Sequence, residues 1–107
     1  DILHTPLVAR LQARYNIRTS LSCDSIGILI YAAENRRMGF ARSAIEAIKE
    51  YGRTTLFVNQ IWASVAEDNK PSIELFRSCN FEQCGLRKAW LRRAEGYVDE
   101  LEFQCLL

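Results

Sequence analysis

The chain has 107 residues, which is enough for one domain over residues 1–107 and too few for two. Apolar residues make up 49% of it and charged residues 25%, the balance of an ordinary globular protein. A formal net charge of +1 argues against a broad electrostatic surface for nucleic acid or membranes, and no apolar run approaches the ~20 residues of a membrane-spanning helix. We therefore expect a cytoplasmic protein with no nucleic-acid or membrane partner.

Residues 1–24 predict one helix followed by a loop. Thr5 and Pro6 have the chemistry of a helix cap and a first helical position, and apolar residues then recur at helical spacing up to Tyr15. Residues 16–24 are polar and mixed, which indicates a loop that can hold a short strand at 17–19. His4, the only histidine, has no neighbour that would complete a metal site, so we interpret it as a surface residue.

Residues 25–51 predict a buried strand, a basic turn and a helix. Residues 25–31 are almost all apolar, as in a strand of a parallel sheet that is covered on both faces. Residues 41–51 have helical periodicity, and Gly52 follows where a left-handed helix stop is expected. The predicted apolar face contains Ala41, Ala44, Ile45, Ile48 and Tyr51, and the predicted polar face contains Arg42, Glu46, Lys49 and Glu50.

The turn between this strand and this helix suits an anion. The first N–H groups of a helix have no partner inside the helix, and the helix N-terminus carries about half a positive charge. Arg36 and Arg37 add mobile positive charge, while Gly39 and Ala41 leave room for a close approach to the backbone. The sequence therefore predicts an anion-binding turn over residues 34–41.

The next segment predicts a second strand and a second helix. After a loop through Thr54 and Thr55, β-branched and aromatic residues indicate a strand at 59–66, parallel to the first through a right-handed crossover. A helix over residues 70–79 follows, and Asn80 is expected to be its left-handed stop. The side chains predicted to face the core are Ile73, Phe76 and Cys79.

The last segment predicts a hairpin. Strands at 81–92 and 97–106 meet in a turn where Gly96 supplies positive φ, and apolar residues alternate in the second strand so that one face is buried. The alternating apolar residues are Leu101, Phe103 and Cys105.

The cysteines match no metal-binding spacing, so the sequence predicts no metal site. We interpret them as small buried apolar residues in a reducing cytosol, with a bridge between Cys79 and Cys84 as the alternative. The other two are Cys23 and Cys105.

Two parts of the chain resemble the GNAT superfamily of N-acetyltransferases. The basic turn is similar to its acyl-CoA-binding signature, which reads Arg/Gln, two residues, Gly, one residue and Gly/Ala, and here is Arg36-x-x-Gly39-x-Ala41. The later part is similar to the second half of GNAT domains, closest to the branch that acetylates ribosomal-protein N-termini, polyamines and amino sugars. It reads Ile61-x-Ala63-x-Val65-x-x-Asp68-Asn69-x-x-Ser72-Ile73-x-Leu75-Phe76-x-x-Cys79-Asn80-Phe81, continued by Gly85-Leu86-Arg87 and Tyr97-x-Asp99-Glu100.

The resemblance covers residues 25–107 and implies an α/β fold with a mixed sheet, the GNAT acyl-CoA N-acyltransferase fold. It implies acetyl-CoA as the cofactor and a primary amine, on a small molecule or a peptide, as the acceptor. The pyrophosphate would lie on the backbone donors of residues 36–41, and the two central parallel strands would splay apart to free N–H groups for the thioester carbonyl. Asn69 would hydrogen-bond the pantetheine arm, with a helix N-cap as the alternative. The implied cofactor-binding residues are Ile30, Tyr31, Arg36, Arg37, Met38, Gly39, Phe40, Ala41, Asn69, Ser72 and Phe76.

Acetyl transfer to an amine also needs a base for the amine and an acid for the departing thiolate. Ser72 stands where one branch of the family places a hydroxyl near the sulfur, although a serine in a first helical turn needs no function. Many relatives have a tyrosine as acid at the position of Phe76, and phenylalanine has no proton to give. The base candidates are Glu34, Asp99 and Glu100, which are otherwise solvated carboxylates of a turn and a strand face.

The chain departs from the family pattern ahead of residue 25. The family normally has further strands and two helices there, which build the acceptor pocket, and residues 1–24 are too few to form them. We therefore expect a fragment, a protein completed by absent sequence or by a partner, or a homodimer through the exposed edge of the strand at 25–31. The alternative to an enzyme is a non-catalytic or incomplete acyl-CoA-binding module of the same fold.

Overall fold

The computed structural model describes residues 17–22, 25–30 and 38–107. The helix predicted over residues 5–15 and the greater part of the basic turn lie outside the described residues. None of the helices in these ranges combines the length and the apolar character that crossing a bilayer requires. The elements in chain order are β1 (Ile17–Ser22), β2 (Ser25–Ile30), α1 (Met38–Tyr51), a π-helical turn (Gly52–Leu56), β3 (Gln60–Ala66), α2 (Lys70–Ser78), β4 (Glu82–Arg93) and β5 (Gly96–Leu106).

The described strands form one mixed sheet in the order β1-β2-β3-β5-β4. β2 and β3 run parallel, and the other neighbouring strands run antiparallel. Because α1 lies between β2 and β3 in the chain, this parallel pair is the strand–helix–strand unit that the sequence predicts. The mixed α/β fold class is therefore confirmed.

β1 corrects two predictions for the N-terminal region. In place of a loop at 16–24 with at most a strand at 17–19, β1 pairs antiparallel with the whole of β2, from Ile17 opposite Ile30 to Ser22 opposite Ser25. A short, polar strand is stabilised by hydrogen bonds to its apolar neighbour, and sequence periodicity does not register this pairing. β2 therefore has a neighbour on each side, so the predicted open edge of β2 is wrong and the sheet begins ahead of residue 25.

The two described α-helices, α1 and α2, cover one face of the sheet. Alternate residues of β2, β3 and β5 point toward this face because side chains alternate along a strand. Phe76 from α2 and Phe103 from β5 are fully buried and lie at its centre. The core residues of the strands are Ile26, Ile28, Ile61, Ala63, Val65, Leu101, Phe103 and Cys105, and those of the helices are Ala41, Ala44, Ile45, Ile48, Ile73, Leu75 and Phe76.

Lys49 is an exception to the predicted polar face of α1. Its side chain is 8% exposed, and its Nζ donates to the carbonyl oxygen of Cys79 at 2.9 Å and lies 3.6 Å from Glu46 Oε1. A lysine can bury its aliphatic stem while its ammonium group reaches a polar partner. Lys49 therefore links α1 to the end of α2.

The end of α1 differs from the predicted left-handed stop at Gly52. The chain continues through the π-helical turn, and the left-handed residue is Phe57, with a φ of 55°. Gly52 instead provides space, because a Cβ atom there would lie 3.0 Å from both Ile26 Cδ1 and Val58 Cγ2. The loop expected through Thr54 and Thr55 is thus a π-helical turn that approaches β2 at Gly52, while both threonines are exposed.

The predicted turns of the second half are confirmed. Asn80 follows α2 with a φ of 67°, and Gly96 begins β5 with a φ of 138°. Both angles lie in the region that asparagine and glycine tolerate better than other residues.

The described cysteines are free thiols, so the alternative of a bridge between Cys79 and Cys84 is wrong. Cys79 and Cys105 are buried, as predicted, and burial raises the pKa of the Cys79 thiol. Cys84 is exposed because it lies on β4, an edge strand whose side chains are mostly in contact with solvent.

Candidate functional site

The parallel strands β2 and β3 separate toward their carboxyl ends. Their described register runs from Ser25 opposite Gln60 to Ile28 opposite Ala63. Beyond that point β2 continues along β1 only, and β3 continues along β5 to Ala66. Among the described residues, the edge of β3 at 64–66 that faces β2 therefore has no strand partner, as the predicted splaying requires. Backbone N–H groups without a partner can polarise a bound carbonyl.

The N-terminus of α2 lies at the same edge of the sheet. A tight turn joins β3 to α2, in which the N–H of Asn69 donates to the carbonyl of Ala66 at 3.0 Å. The Oδ1 of Asn69 then accepts from the N–H of Ser72 at 3.3 Å, so Asn69 caps the helix, with Pro71 in the first turn. The predicted alternative of a helix N-cap is therefore confirmed, and it uses only the side-chain oxygen.

Ser72 places an unpaired hydroxyl inside this corner. The residue is 1% exposed, and its Oγ has no hydrogen-bond partner among the residues that the structure describes. A buried hydroxyl without a partner costs roughly 1–3 kcal/mol of stability. Such a group marks a position where a polar atom of a ligand would be stabilised.

Phe76 lies one helical turn beyond Ser72 and is part of the core. Its ring packs edge-on against Phe81, with centroids 5.1 Å apart, and stacks on Phe103 at 6.3 Å. Its exposure is 0%, so in this structure the side chain contacts core residues and presents no surface to a ligand.

A polar network lies on the opposite face of the sheet, beside the unpaired end of β3. Ser64 Oγ donates to the carboxylate of Glu102, at 3.0 Å from Oε1 and 2.9 Å from Oε2, and Arg87 Nε lies 3.4 Å from Oε1. Glu100 is the next residue on the same face of β5 and is paired with Ala66, the last residue of β3. Partial burial raises the pKa of Glu100 first, and the neighbouring Glu102 carboxylate raises it further.

Asp99 holds the backbone of the hairpin. Its Oδ1 accepts the N–H of Ala89 at 2.7 Å, and Ala89 has a φ of 48° at an irregularity between Arg87 and Leu91. This is the position of a β-bulge, where a carboxylate partner stabilises an otherwise unpaired N–H. The predicted base candidate Asp99 therefore has a structural role in the described residues.

An ion pair fixes the hairpin against the turn ahead of α2. Arg93 donates to Asp68 through Nε at 2.9 Å and through Nη2 at 3.1 Å, a bidentate geometry. The hydrogen bond from Arg93 lowers the pKa of Asp68. The N–H of Glu67 also donates to the carbonyl of Asp99 at 3.0 Å, so both β4 and β5 are tied to this turn.

Many of the predicted cofactor-binding residues belong to the basic turn. Tyr31, Glu34, Arg36 and Arg37 lie outside the described residues, so these predictions remain untested. The backbone places Ile30 at the end of β2, and places Met38, Gly39, Phe40 and Ala41 in the first turn of α1. The first-turn position supports the predicted anion site, because the N–H groups of a first turn have no partner inside the helix.

The sequence does not predict the network of Ser64, Arg87 and Glu102. These residues come from three strands, and only the strand register brings them together. The one signal in the sequence is the alternation of Glu100 and Glu102 with buried residues in β5, which places both carboxylates on the same face.

The comparison with protein families agrees with the family resemblance that the sequence shows. The family described as acetyltransferase (GNAT) domain matches residues 8–82 of the chain. This match begins well ahead of residue 25, where the resemblance of the sequence was expected to begin, and it includes β1.

Individual relatives agree with this match. A Bacillus licheniformis protein named as an N-acetyltransferase is 35% identical over 68 residues, which is 64% of this chain and 38% of that protein. A Vibrio cholerae spermidine N-acetyltransferase, solved with CoA and spermine, has a TM-score of 0.68 and 26% identity over 78% of this chain and 50% of its own. The Escherichia coli ribosomal-protein-S18-alanine N-acetyltransferase shares the fold, with a TM-score of 0.71 at 18% identity over 84% of this chain and 59% of its own. The chain thus spans between about two-fifths and three-fifths of the length of these relatives.

Proposed function

Because this chain belongs to the GNAT acetyltransferase domain family, we propose that it transfers an acetyl group from acetyl-CoA to a primary amine by direct attack. The observation that carries the proposal is the separation of β2 from β3 beside the capped N-terminus of α2. Backbone groups at 64–66 and the buried hydroxyl of Ser72 both lie at this edge. A thioester carbonyl needs hydrogen-bond donors, which the backbone N–H groups would supply. A departing thiolate needs a proton source, which the hydroxyl would be.

The residues at this edge suit acetyl-CoA, which supplies the activated acetyl group when it is bound. Gly39 and Ala41 in the first turn of α1 would offer backbone N–H groups to the pyrophosphate, and Arg36 and Arg37 would add positive charge. The others that would contact it are Ile30, Tyr31, Met38, Phe40, Asn69 and Ser72. Phe76 is left out of this set because its ring packs on Phe81 and Phe103 in the core.

Ser72 would act as the proton donor to the thiolate. Its hydroxyl has no competing partner among the described residues, and phenylalanine at position 76 cannot supply a phenol. A hydrogen bond to the sulfur of the coenzyme would give this buried hydroxyl the partner that it lacks among the described residues.

One observation favours a second candidate, an acyl-CoA-binding module without catalysis. Phe76 occupies the position where many relatives have the acid, and it is packed in the core between Phe81 and Phe103. A module of this kind would bind acetyl-CoA through the same helix N-termini and would transfer nothing.

The acceptor is proposed to be a primary amine on a small molecule or a peptide, in the cytoplasm. The described cysteines are free thiols, as is usual in a reducing compartment. A homodimer is proposed at β4, one of the two edges of the described sheet, because Leu86 and Trp90 are exposed on this strand and β2 already has β1 and β3 as neighbours.

Binding and transfer can be tested separately. Calorimetry with acetyl-CoA is expected to give saturable binding that Gly39→Asp abolishes, because a carboxylate would stand where phosphate oxygens lie. Single-turnover reactions with spermidine, an alanine-started peptide and glucosamine then distinguish an enzyme from a binding module. Unchanged affinity in a folded Gly39→Asp variant would contradict the coenzyme site, and binding without transfer to any amine would support the module.

A further inference from the structure

We propose, resting on the proposed function, that Glu100 is the base that accepts the proton of the acceptor amine. Glu100 pairs with Ala66, the last residue of β3, and so stands one strand away from the edge where β2 and β3 separate. Side chains alternate along β5, and the next residue, Leu101, points into the core. The side chain of Glu100 therefore projects from the face opposite the helices.

The position of Glu100 fits the side from which an amine can arrive. α1 and α2 cover one face of the sheet, and their N-termini are the proposed anchors of the coenzyme. In the part of the chain that the structure describes, no helix covers the other face at residues 64–66. An amine that reaches the gap from this face, which the described helices leave uncovered, passes the side chain of Glu100.

The neighbouring carboxylates already have partners that commit them to other roles. Glu102 is held by Ser64 at 2.9 and 3.0 Å and by Arg87 at 3.4 Å. Asp99 accepts the N–H of Ala89, and Asp68 binds Arg93. Glu100, whose hydrogen bonds are with Glu102 and Ser64, can therefore take up a proton without releasing Arg87 or the N–H of Ala89.

The surroundings of Glu100 make its carboxylate more basic. Partial burial, then the hydrogen bond and the charge of Glu102, raise the pKa of Glu100, and Arg87 and Ser64 oppose this rise. The three side chains that act on it, Glu102, Arg87 and Ser64, come from β5, β4 and β3. A carboxylate whose pKa lies closer to neutrality is a stronger proton acceptor for an alkylammonium group.

The proton and electron pairs balance in the proposed step. The carboxylate of Glu100 takes one proton from the ammonium form of the acceptor, and the freed lone pair of nitrogen forms the C–N bond to the acetyl carbon. The C–S bond breaks with its electron pair leaving on sulfur. The thiolate takes the second proton of the nitrogen, relayed by Ser72, and Glu100 then returns its proton to solvent.

Glu100→Gln tests the role in transfer. We expect a loss of roughly 10²–10⁴-fold in kcat/KM near neutral pH, recovering as pH rises, since more of the amine is then already deprotonated. The dissociation constant of acetyl-CoA should stay unchanged. Glu82→Gln, on the same hairpin at the far end of β4, and Glu67→Gln, in the adjoining turn, are the matched controls and should keep the original profile. A Glu100→Gln variant with the original rate and pH profile would overturn the inference.

A second measurement does not depend on turnover. In the dead-end complex with coenzyme A, addition of spermidine should shift the ¹³C resonance of the Glu100 side-chain carboxyl, and the alanine-started peptide and glucosamine are tested in the same way. If none of these amines shifts this resonance, the inference is wrong. If coenzyme A itself does not bind, the proposed function fails first, and calorimetry reports that failure separately.

Discussion

At the scale of single residues, the hydrogen-bond partner of a polar side chain indicates whether that side chain supports the fold or is available to a ligand. Ser72 and Ser78 both belong to α2, but Ser78 Oγ donates to the carbonyl of Leu75 at 2.7 Å while Ser72 Oγ has no partner among the described residues. A hydroxyl with a partner stabilises the fold, and a buried hydroxyl without one destabilises it. The two serines therefore allow a structural contribution to be compared with the proposed catalytic one within one helix.

Ser72→Ala is expected to slow acetyl transfer without destabilising the fold. The substitution removes no hydrogen bond between this side chain and the residues that the structure describes, so the free energy of unfolding should stay equal or rise by about 1 kcal/mol. Turnover should fall by roughly 10²–10⁴-fold if the hydroxyl donates a proton to the thiolate. Urea denaturation and single-turnover kinetics measure the two effects.

Ser78→Ala is the control for Ser72→Ala. Removing its bond to Leu75 should lower the free energy of unfolding by about 0.5–1.5 kcal/mol and leave turnover unchanged. Original turnover of Ser72→Ala over the whole pH range would exclude Ser72 as the acid.

At the scale of elements, one buried contact fixes the two helices relative to each other. Lys49 Nζ reaches from α1 to the carbonyl of Cys79 at the end of α2. α1 begins at Met38 and α2 at Lys70, both following strands that lead to the candidate site, so this contact lies at the far ends of the helices. It holds together the elements whose N-termini are proposed to bind the coenzyme.

Lys49→Met is expected to lower the free energy of unfolding by about 1.5–3 kcal/mol, the usual value for a hydrogen bond to a charged group. Methionine keeps most of the buried stem but leaves the Cys79 carbonyl without its donor. Arg53→Met is the control, because Arg53 pairs with Glu50 on the surface and should contribute about 0–1 kcal/mol. Chemical denaturation measures both variants. If their free energies of unfolding fall by equal amounts, the contact between the helices contributes no more than a surface ion pair.

Elements with a strong pattern of their own could be predicted from the sequence. β2, α1, β3, α2 and the hairpin follow apolar periodicity and turn chemistry, and the structure places them close to the predicted bounds. β1 and the π-helical turn could not be predicted, because β1 depends on β2 as a partner and the turn depends on close packing at Gly52.

The candidate site was predictable only in part, for the same reason. The resemblance identifies the turn at 36–41 and the start of α2, which are continuous in sequence. The environment of Glu100 and Glu102 requires the register of β3, β4 and β5, and the missing partner of Ser72 is a property of the packed core.

At the scale of the whole molecule, β4 is the edge strand that combines apolar and charged side chains. Leu86 and Trp90 are 46% and 57% exposed, so two apolar groups face solvent on this strand. Arg87, Lys88 and Arg92 follow in the same strand, and the bulge at Ala89 interrupts its regular edge. Edge strands are commonly protected from pairing by such charges and bulges.

We expect self-association through β4 to depend on salt. When two copies pair along this edge, the clustered cations of one copy approach those of the other, and their repulsion extends over about 30 Å at 0.01 M salt but only about 3 Å at 1 M. Light scattering should therefore report a monomer at low salt and an increase toward a dimer at high salt, as burial of Leu86 and Trp90 becomes the larger effect. Trp90→Lys should abolish this increase, whereas Phe57→Lys, at a residue 79% exposed beside the π-helical turn, should preserve it. A dimer at low salt, or one that Phe57→Lys removes, would place the interface elsewhere, and a strict monomer at every salt concentration would show that the bulge and the charges protect β4 completely.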